Sequence, residues 1–420
     1  MSTRRIPRVM LTAVRPASRT GQRGFTLAEL MVAITGGLFI SIAVFSMARF
    51  GSRFYQQESR VANATMSSVV GFERLKADIT RAGFLASPNV QRDPNVCGQP
   101  ATDASWPVQL RDLAAIQITP NFLTGNAVLD TAANGNIQPD QITLAGSYVT
   151  GDEFPIRLIQ QTGSGYDVTL QVLTGPMARL GTANLNSVFQ PGRALRIIDE
   201  SGKQQYGTIT GTSFNAGQPV VSLSQSPQLI LRQGGSQQCG FKGLETGARA
   251  NVVNFIRYEL RNMTGDAAHA ALFADTNAAV LGDSSRVELV RYEINTAGNQ
   301  IQGTQEIVAE LAVDLAFSIR AVDVDTDLNQ SYANALSPIG TAAAPSAGGR
   351  PERIRVVRTR LSVRSREADR AGQATPPNGV PNELYRIALN PSATAANQRW
   401  ARVRTIQADI SLPNLMGTTW

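Results

Sequence analysis

A run of nineteen uncharged residues near the N-terminus, residues 30–48, constrains the fold of this chain more than any other feature. At about 1.5 Å per residue, a helix of that length crosses the hydrocarbon core of a membrane once. Arginines precede the run, and a positive N-terminal flank stays in the cytoplasm while the following chain is exported. A cleaved secretory signal is the alternative, but the run is longer than such signals and no A-x-A site follows it before Arg49. The sequence therefore predicts a single-pass membrane anchor followed by an exported body.

The positive charge of the chain is concentrated ahead of this segment. The whole chain has 39 basic and 32 acidic residues, which gives a net charge of +7. Residues 1–24 contain six arginines and no acidic residue, so the rest of the chain is almost neutral. Nucleic-acid-binding domains carry their excess positive charge on the folded body. We therefore expect no nucleic-acid partner.

One acidic residue, Glu29, stands directly before the apolar run. A carboxylate drawn to the centre of a bilayer costs about 2.5–3.5 kcal/mol. A plain membrane anchor does not need such a residue. We therefore expect Glu29 to have a partner or a function.

Apolar periodicity continues beyond the membrane segment. Spacings of three and four residues place one set of side chains on a single helix face. The set consists of Val61, Thr65, Ser68, Phe72, Leu75, Ile79 and Ala82. Charged residues between them, including Asp78, are expected to face water, and Gly83 is suited to end the helix. The pattern predicts one helix with a transmembrane half at 25–50 and an amphipathic half at 51–82; a two-stranded coiled coil is the alternative for the second half.

After Gly83 the pattern becomes typical of β-strands. Short apolar runs lie between clusters of Gly, Pro, Asn and Asp, at 113–119, 141–149, 166–173 and 193–199. A Gly- and Gln-rich stretch near 233–248 divides this body, the head, into a first part at 83–245 and a second part at 246–420. The predicted fold class is α+β, with a long N-terminal helix packed on a large, antiparallel, β-rich head.

Three strand candidates change the phase of their apolar alternation at a pair of apolar residues. Two of them, 255–260 and 289–294, also share the residues Arg-Tyr-Glu directly after the pair. The third pair is Val356-Val357. A β-bulge would keep both halves of such a strand facing the core. We therefore expect a bulge at each pair; chance repetition of strand composition is the alternative for the first two.

Residues that could carry catalysis or bind a metal are few. The chain has one histidine and two cysteines, and neither CxxC nor HExxH spacing occurs, which argues against a zinc site. No nucleophile or phosphate-loop motif is present, so we predict neither an enzyme nor a cofactor, with no catalytic residues. Asp323, Asp325 and Asp327 alternate as calcium-loop ligands do, but Leu328 and Asn334 replace the glycine and the glutamate of such loops. We therefore favour a solvated acidic turn over a calcium site at this position.

An arginine-rich strand follows this turn. Arginines alternate with apolar residues from Arg353 to Arg366. Such a guanidinium face could meet DNA phosphates or an acidic neighbour. We favour instead a charged, solvated face that prevents edge-to-edge aggregation of strands, because the run has no aromatic residues for stacking on bases.

The two cysteines, Cys97 and Cys239, form an even pair. An oxidising compartment would join them in one disulfide bond, whereas two buried thiols are the alternative. Export of the head favours the disulfide bond.

Four segments together resemble a known family. Gly24-Phe25-Thr26-Leu27-Ala28-Glu29-Leu30 resembles the class III signal of type IV pilins and pseudopilins. FERLKADITRAGF (72–84) is similar to the end of the first helix in PilW-type minor pilins. IRVVRTRLSVRSRE (354–367) and LAVDLAFSIRAVDVDTD (311–327) resemble the arginine-dotted strand of that group and its strand before an aspartate-rich turn. Residues 90–245 carry no such resemblance.

The resemblance implies processing of the N-terminus. A prepilin peptidase would remove residues 1–24 by cutting between Gly24 and Phe25, and Phe25 would become the N-methylated terminus. Glu29 would then pair with the terminal amine of a neighbouring subunit. The leader is longer than is usual in the family, which makes Met10 a second candidate for the start codon.

The same resemblance implies a function. It suggests a minor pilin that helps to initiate type IV pilus assembly, lies at or near the pilus tip, and serves twitching motility and adhesion. Its partners would be other minor pilins, the major pilin, the prepilin peptidase, the inner membrane and a possible tip adhesin. A type II secretion pseudopilin of the J type and a membrane-anchored periplasmic adhesin or binding module are the alternatives.

Overall fold

The structure is a computed structural model of the chain. It describes residues 25–98, 100, 102–122, 134–135, 137–231, 247–263, 266–269, 286–322, 333–334, 350–366, 370–371, 383–387 and 399–418. The chain divides into two compact units, Met1–Glu58 and Ser59–Trp420. Each unit is described by itself below.

Helix α1 (Leu27–Arg81) begins in the first unit and accounts for almost all of that unit's described residues. Its end in the second unit has a clear local cause. Gly83 adopts a left-handed φ of 76°, which a glycine tolerates without strain, and its N–H donates to the Ala145 carbonyl at 2.8 Å. This hydrogen bond replaces the one that the Gly83 N–H would make within the helix. The helix therefore ends just before Gly83, as the sequence predicts.

The second unit contains, in its described residues, two antiparallel sheets. The larger sheet has ten strands: β1 (Ile116–Thr119), β2 (Gln141–Gly146), β3 (Phe154–Thr162), β4 (Gly165–Leu170), β5 (Ala194–Ile198), β6 (Gln204–Asn215), β7 (Gln218–Ser224), β8 (Arg249–Arg261), β9 (Glu288–Ile294) and β10 (Glu306–Ala309). The smaller sheet has six: β11 (Ala312–Ala321), β12 (Ala333–Asn334), β13 (Ile354–Arg364), β14 (Arg370–Ala371), β15 (Leu384–Ile387) and β16 (Arg399–Ser411). Short helices α2 (Val108–Arg111), α3 (Gly175–Leu180) and α4 (Leu185–Val188) lie in the connections. Together with α1, these sheets give the chain an N-terminal apolar helix and a large β-rich head.

Part of the larger sheet closes into a six-stranded barrel. Strands β8, β3, β4, β7, β6 and β5 pair in that order, and β5 pairs back with β8. Closure removes the exposed edges of these strands. An apolar cluster belongs to this barrel and includes Phe154, Val168, Ile197, Val221 and Val252.

Strand β8 joins the barrel to the rest of the larger sheet. Its first half pairs with β3 and β5, and its second half pairs with β2 and β9. Every position from Ala250 to Ile256 is buried, so both faces of this stretch are covered. The bulge expected at Phe255-Ile256 is wrong, because the register with β2 and β9 runs through this pair without a shift. Burial on both faces explains the change of apolar phase.

Neither of the other two expected bulges lies at its predicted pair, although a register shift occurs near each. Strand β9 pairs with β8 without a shift at Leu289-Val290, but β10 opposite this pair shifts its register between Ile307 and Ala309. In β13 the register with β11 shifts between Ile354 and Val356, next to the predicted pair Val356-Val357. In two of the three strands, therefore, irregular pairing lies near the change of apolar phase but not at the predicted residues.

The second half of α1 packs into the core of the head. Ser68, Phe72, Leu75, Ile79 and Ala82 of the predicted face are buried. Thr65 of that face is exposed, and the side chain of Val61 lies outside the described residues. The apolar members from Phe72 onward share one cluster with residues of both sheets, among them Ile142, Tyr258, Leu315 and Leu361.

The boundary between the two sheets does not coincide with the division of the head that the sequence suggests near residue 245. Strands β8, β9 and β10 follow residue 245 but belong to the larger sheet. The smaller sheet begins only at Ala312, at the start of β11. The boundary near 245 itself lies outside the described residues.

Candidate functional site

The first part of α1 is built to lie in an apolar environment. The most apolar eighteen-residue window within Leu27–Ser52 has a mean hydropathy of 2.2, and none of that window is buried. At about 1.5 Å per residue this segment exceeds the roughly 30 Å of a hydrocarbon core. Among the described residues it is the one helix that meets these requirements of length and composition. Lipid or other apolar partners can therefore cover its side chains.

Glu29 forms a local cap at the beginning of this helix. The backbone N–H of Thr26 donates to Glu29 Oε2 at 3.0 Å, and the Thr26 hydroxyl donates to the same oxygen at 2.9 Å. In return, the Glu29 N–H donates to Thr26 Oγ1 at 3.3 Å. This reciprocal arrangement is a capping box, in which a threonine and a glutamate three residues later satisfy N–H groups that the helix leaves open.

The sequence already contains the signature of this capping box. We did not predict it, because we considered only the cost of placing Glu29 in a membrane. The signature T-x-x-E stands at Thr26–Glu29 directly before the apolar run. A cap gives Glu29 a structural role at the helix start. It does not bring a second charged group to the carboxylate, so the cap and a pairing role are compatible.

The predicted processing site lies at the edge of the described chain. Phe25 precedes α1 and its side chain is 84% exposed. Gly24 lies outside the described residues. Cleavage after Gly24 therefore stays a prediction.

A buried polar cluster fixes the second half of α1 to the larger sheet. Asp78 is only 5% exposed, which corrects the expectation that it faces water. Its Oδ2 accepts from the Tyr258 hydroxyl at 2.8 Å and from Arg291 Nε at 2.6 Å. The Tyr148 hydroxyl donates to the Asp78 carbonyl at 3.0 Å. A buried carboxylate needs such partners, and here Tyr258 and Arg291 supply two of them from the larger sheet.

The electrostatics of this cluster follow from burial. Burial and the adjacent Asp78 carboxylate raise the pKa of Tyr258 well above its ordinary value. Burial alone would lower the pKa of Arg291, but Asp78 outweighs it and raises that pKa. Tyr258 therefore stays neutral and Arg291 stays charged near neutral pH, which keeps the ion pair to α1 intact.

The two Arg-Tyr-Glu segments supply this cluster. In the ladder between β8 and β9, Tyr258 stands directly opposite Arg291. Each segment thus contributes one of the two side chains that bind Asp78. The repeated residues were visible in the sequence, but their common target on α1 was not.

Several arginines of the strand β13 form ion pairs, hydrogen bonds or ring contacts inside the head. Arg358 binds Asp409 at 2.7 Å and Arg360 binds the buried Asp314 at 2.7 Å. Arg355 donates to the carbonyls of Glu352 and Thr418. Arg364 is 1% exposed and lies over the Tyr385 ring at 6.0 Å. Structural pairing therefore accounts for these four arginines.

Cys97 is buried, and the described part of the chain contains no free thiol. Its predicted partner Cys239 lies outside the described residues. The disulfide bond between them stays a prediction.

The weak calcium candidate cannot be placed, because Asp323, Asp325 and Asp327 lie outside the described residues. Among the residues that are described, no three His, Cys, Asp or Glu side chains are grouped as metal ligands would be. His269 lies 3.6 Å from Asp266, measured from Nδ1 to Oδ2.

Comparison with known proteins found no match: no family model, no curated protein and no solved structure is similar to this chain. Any assignment of function is therefore an argument from its own residues and their geometry.

Proposed function

We propose that the chain is a minor pilin of the PilW type, anchored in the inner membrane with a periplasmic head. In this proposal it helps to initiate type IV pilus assembly and lies at or near the pilus tip. Three features support it: the glycine–phenylalanine junction, an apolar helix able to cross a membrane, and a large β-rich head.

The observation that carries the proposal is the position of Glu29. It is an exposed carboxylate at the first turn of an apolar helix, four residues after the predicted new terminus Phe25. Cleavage after Gly24 would create an amine at Phe25. In a bundle of such helices, the carboxylate of one subunit and the amine of another would offset each other's desolvation.

The proposal includes the partners that the resemblance implies. Prepilin peptidase would cut and methylate the N-terminus, and the apolar helix would then pack among other minor pilins and the major pilin. The Asp78 cluster supports this arrangement, since it holds the second half of α1 rigidly against the head. Export would also place Cys97 and Cys239 where a disulfide bond forms.

Glu29→Gln tests this role against simple capping. Glutamine can still form the capping box but carries no charge. We expect Glu29→Gln to be cleaved and retained in the inner membrane, yet depleted from sheared filaments at least about tenfold, because the neighbouring amine loses its partner. Immunoblots of membranes and of sheared filaments measure both quantities.

Thr26→Ala is the matched control. It removes the side chain that caps Glu29 and leaves the carboxylate in place. We expect it to enter filaments normally once cleaved. Normal incorporation of Glu29→Gln, or an equal loss with Thr26→Ala, would show that the charge of Glu29 has no role in assembly.

A further inference from the structure

Strand β16 of the smaller sheet has an inner edge that is paired and an outer edge that is largely open. On the inner edge, residues 403–411 pair with β13 without a register shift. On the outer edge, β15 pairs only with residues 399–402. The Val403 N–H then donates to the Glu383 carbonyl at 2.7 Å, and beyond this bond no described strand pairs with the outer edge. We call the outer edge of residues 404–411 the β16 edge.

The hydrogen bonds at its two ends fix the direction of its backbone groups. The Val403 N–H points outward, whereas the Leu412 N–H points inward and donates to a β13 carbonyl at 3.0 Å. Since N–H groups alternate in direction along an antiparallel ladder, Thr405, Gln407 and Ser411 direct their N–H and C=O groups outward. All three residues are exposed. The β16 edge therefore offers a row of hydrogen-bonding groups that β13 does not use.

Two features by which proteins often protect an edge strand, proline and a β-bulge, do not occur in the β16 edge. Its sequence, RTIQADIS, contains no proline. Its pairing with β13 runs through the whole stretch without a bulge. A strand edge that is regular, exposed and open can accept an extended segment of another chain through main-chain hydrogen bonds.

The two faces of β16 specify which kind of segment fits. On one face, Ile406 and Ala408 are half-buried against the apolar cluster that α1 shares with both sheets, and Ile410 is buried. On the other face, Thr405 and Gln407 are exposed. Because side chains alternate along a strand, an added strand would cover Ile406 and Ala408 only if it has an apolar residue at every second position.

Arg404 adds a requirement for charge at one end of the β16 edge. It is exposed, and the residue opposite it in β13 is Val363, which carries no charge. No ion pair links Arg404 to a described residue. The connections before and after β15, residues 372–382 and 388–398, contain no acidic residue. An acidic residue in the added strand, placed opposite Arg404, would form a cross-strand ion pair with it.

We propose that the β16 edge binds an extended segment of another protein by strand addition. The segment runs antiparallel to β16 and has apolar residues opposite Ile406, Ala408 and Ile410. Its acidic residue lies opposite Arg404. A second copy of this chain fits less well, because Asp409 is the one acidic residue of the edge and lies on the other face from Arg404. Packing of N-terminal helices does not use this edge, so the inference goes beyond the proposed function.

Fluorescence anisotropy of a labelled peptide, titrated with the full chain in detergent, tests the proposal. The peptide Val-Thr-Val-Thr-Val-Thr-Glu has the required alternation, and a second peptide has Lys in place of Glu. We expect saturable binding of the Glu peptide and at least about threefold weaker binding of the Lys peptide, because like charges directly opposite each other on two strands are unfavourable. In Arg404→Glu this preference should reverse.

Gln407→Pro tests the main-chain hydrogen bonds. Proline is tolerated in an edge strand where its nitrogen faces solvent, so the circular dichroism spectrum should stay that of the wild type. We expect binding of the Glu peptide to weaken at least about tenfold, because one outward N–H is lost and the proline ring blocks the added strand. Gln407→Ala is the matched control, since it keeps the N–H group and should bind as the wild type does.

Three results would overturn the proposal: no saturable binding of the Glu peptide, equal binding by Gln407→Pro and Gln407→Ala, or an unchanged preference in Arg404→Glu. If Gln407→Pro alters the circular dichroism spectrum, the reversal in Arg404→Glu decides. Sedimentation of the wild type and of both Gln407 variants tests the other occupant. A dimer that Gln407→Pro dissociates and Gln407→Ala retains would assign the β16 edge to a second copy and would also overturn the proposal.

Discussion

Buried carboxylates set how the head responds to pH. Asp140 is buried and accepts from the Phe317 N–H at 2.8 Å and from the Asn121 N–H at 3.1 Å. Burial raises the pKa of Asp140 from 3.8 to about 6, and the nearby Asp314 adds to the shift. Burial also raises the pKa of Asp314, against the opposing effect of Arg360.

Because the pKa of Asp140 is raised in the folded head, the direction in which Asp140 changes the stability of the head with pH is determined. Because the folded state holds this proton more tightly than the unfolded chain, Asp140 stabilises the head most below pH 3.8, and this contribution is lost as the pH rises through about 6. The shift corresponds to at most about 3 kcal/mol. We expect Asp140→Asn to flatten that decline, as measured by urea unfolding of the full chain in detergent across this pH range.

Asp103→Asn serves as the control for this experiment. Asp103 is exposed, and hydrogen bonds from Ser105 lower its pKa, so its effect has the opposite sign. The decline with rising pH should therefore remain in Asp103→Asn. An equally steep decline in Asp140→Asn would show that other groups cause it.

Sequence reasoning at the residue scale succeeded for apolar residues and failed for buried charges. Phe72, Leu75 and Ile79 follow a helical period, and they are buried as predicted. Asp78 lies in the same helix and was expected to face water. Its partners Tyr258 and Arg291 come from strands far along the chain, and no local pattern reports such distant pairing.

The packing of α1 against β10 depends on one glycine. An alanine Cβ at Gly71 would lie 2.8 Å from the Ala309 Cβ and 2.9 Å from the Val308 carbonyl oxygen. Alanine would gain up to about 1 kcal/mol in helix propensity, but overpacking against backbone costs about 1–3 kcal/mol. We expect Gly71→Ala to destabilise the head by about 1 kcal/mol, measured by the same urea unfolding.

Gly51→Ala is the matched control in the same helix. No atom lies within 4 Å of a Cβ added at Gly51, so only the gain in helix propensity applies there. The head in Gly51→Ala should unfold at the wild-type urea concentration. Unchanged or increased stability of Gly71→Ala would mean that α1 can shift on β10 without cost.

The sequence predicts those strands whose apolar pattern lies within a few consecutive residues. The runs 113–119, 141–149, 166–173 and 193–199 overlap β1, β2, β4 and β5. Closure of the barrel could not be read from them, because it depends on β5 pairing with β8, more than fifty residues later. A strand that is buried on both faces also loses the alternation that would report its register.

At the scale of the whole molecule, the chain combines a membrane-compatible helix with a head whose two sheets share one apolar cluster with that helix's second half. The sequence predicted the helix and the β-rich head. The division of the head that the sequence suggests near residue 245 falls between β7 and β8, which belong to the same sheet. A change of composition can therefore fall between strands of one sheet.

In our proposal this chain is processed and assembled as a pilin, and the mass of its N-terminus is the most decisive test of that proposal. The protein is extracted from the inner membrane, and its N-terminal peptide is analysed by mass spectrometry. We expect the mature chain to begin at N-methylated Phe25. A chain that begins after Ala48, or one that retains Gly24, would contradict it.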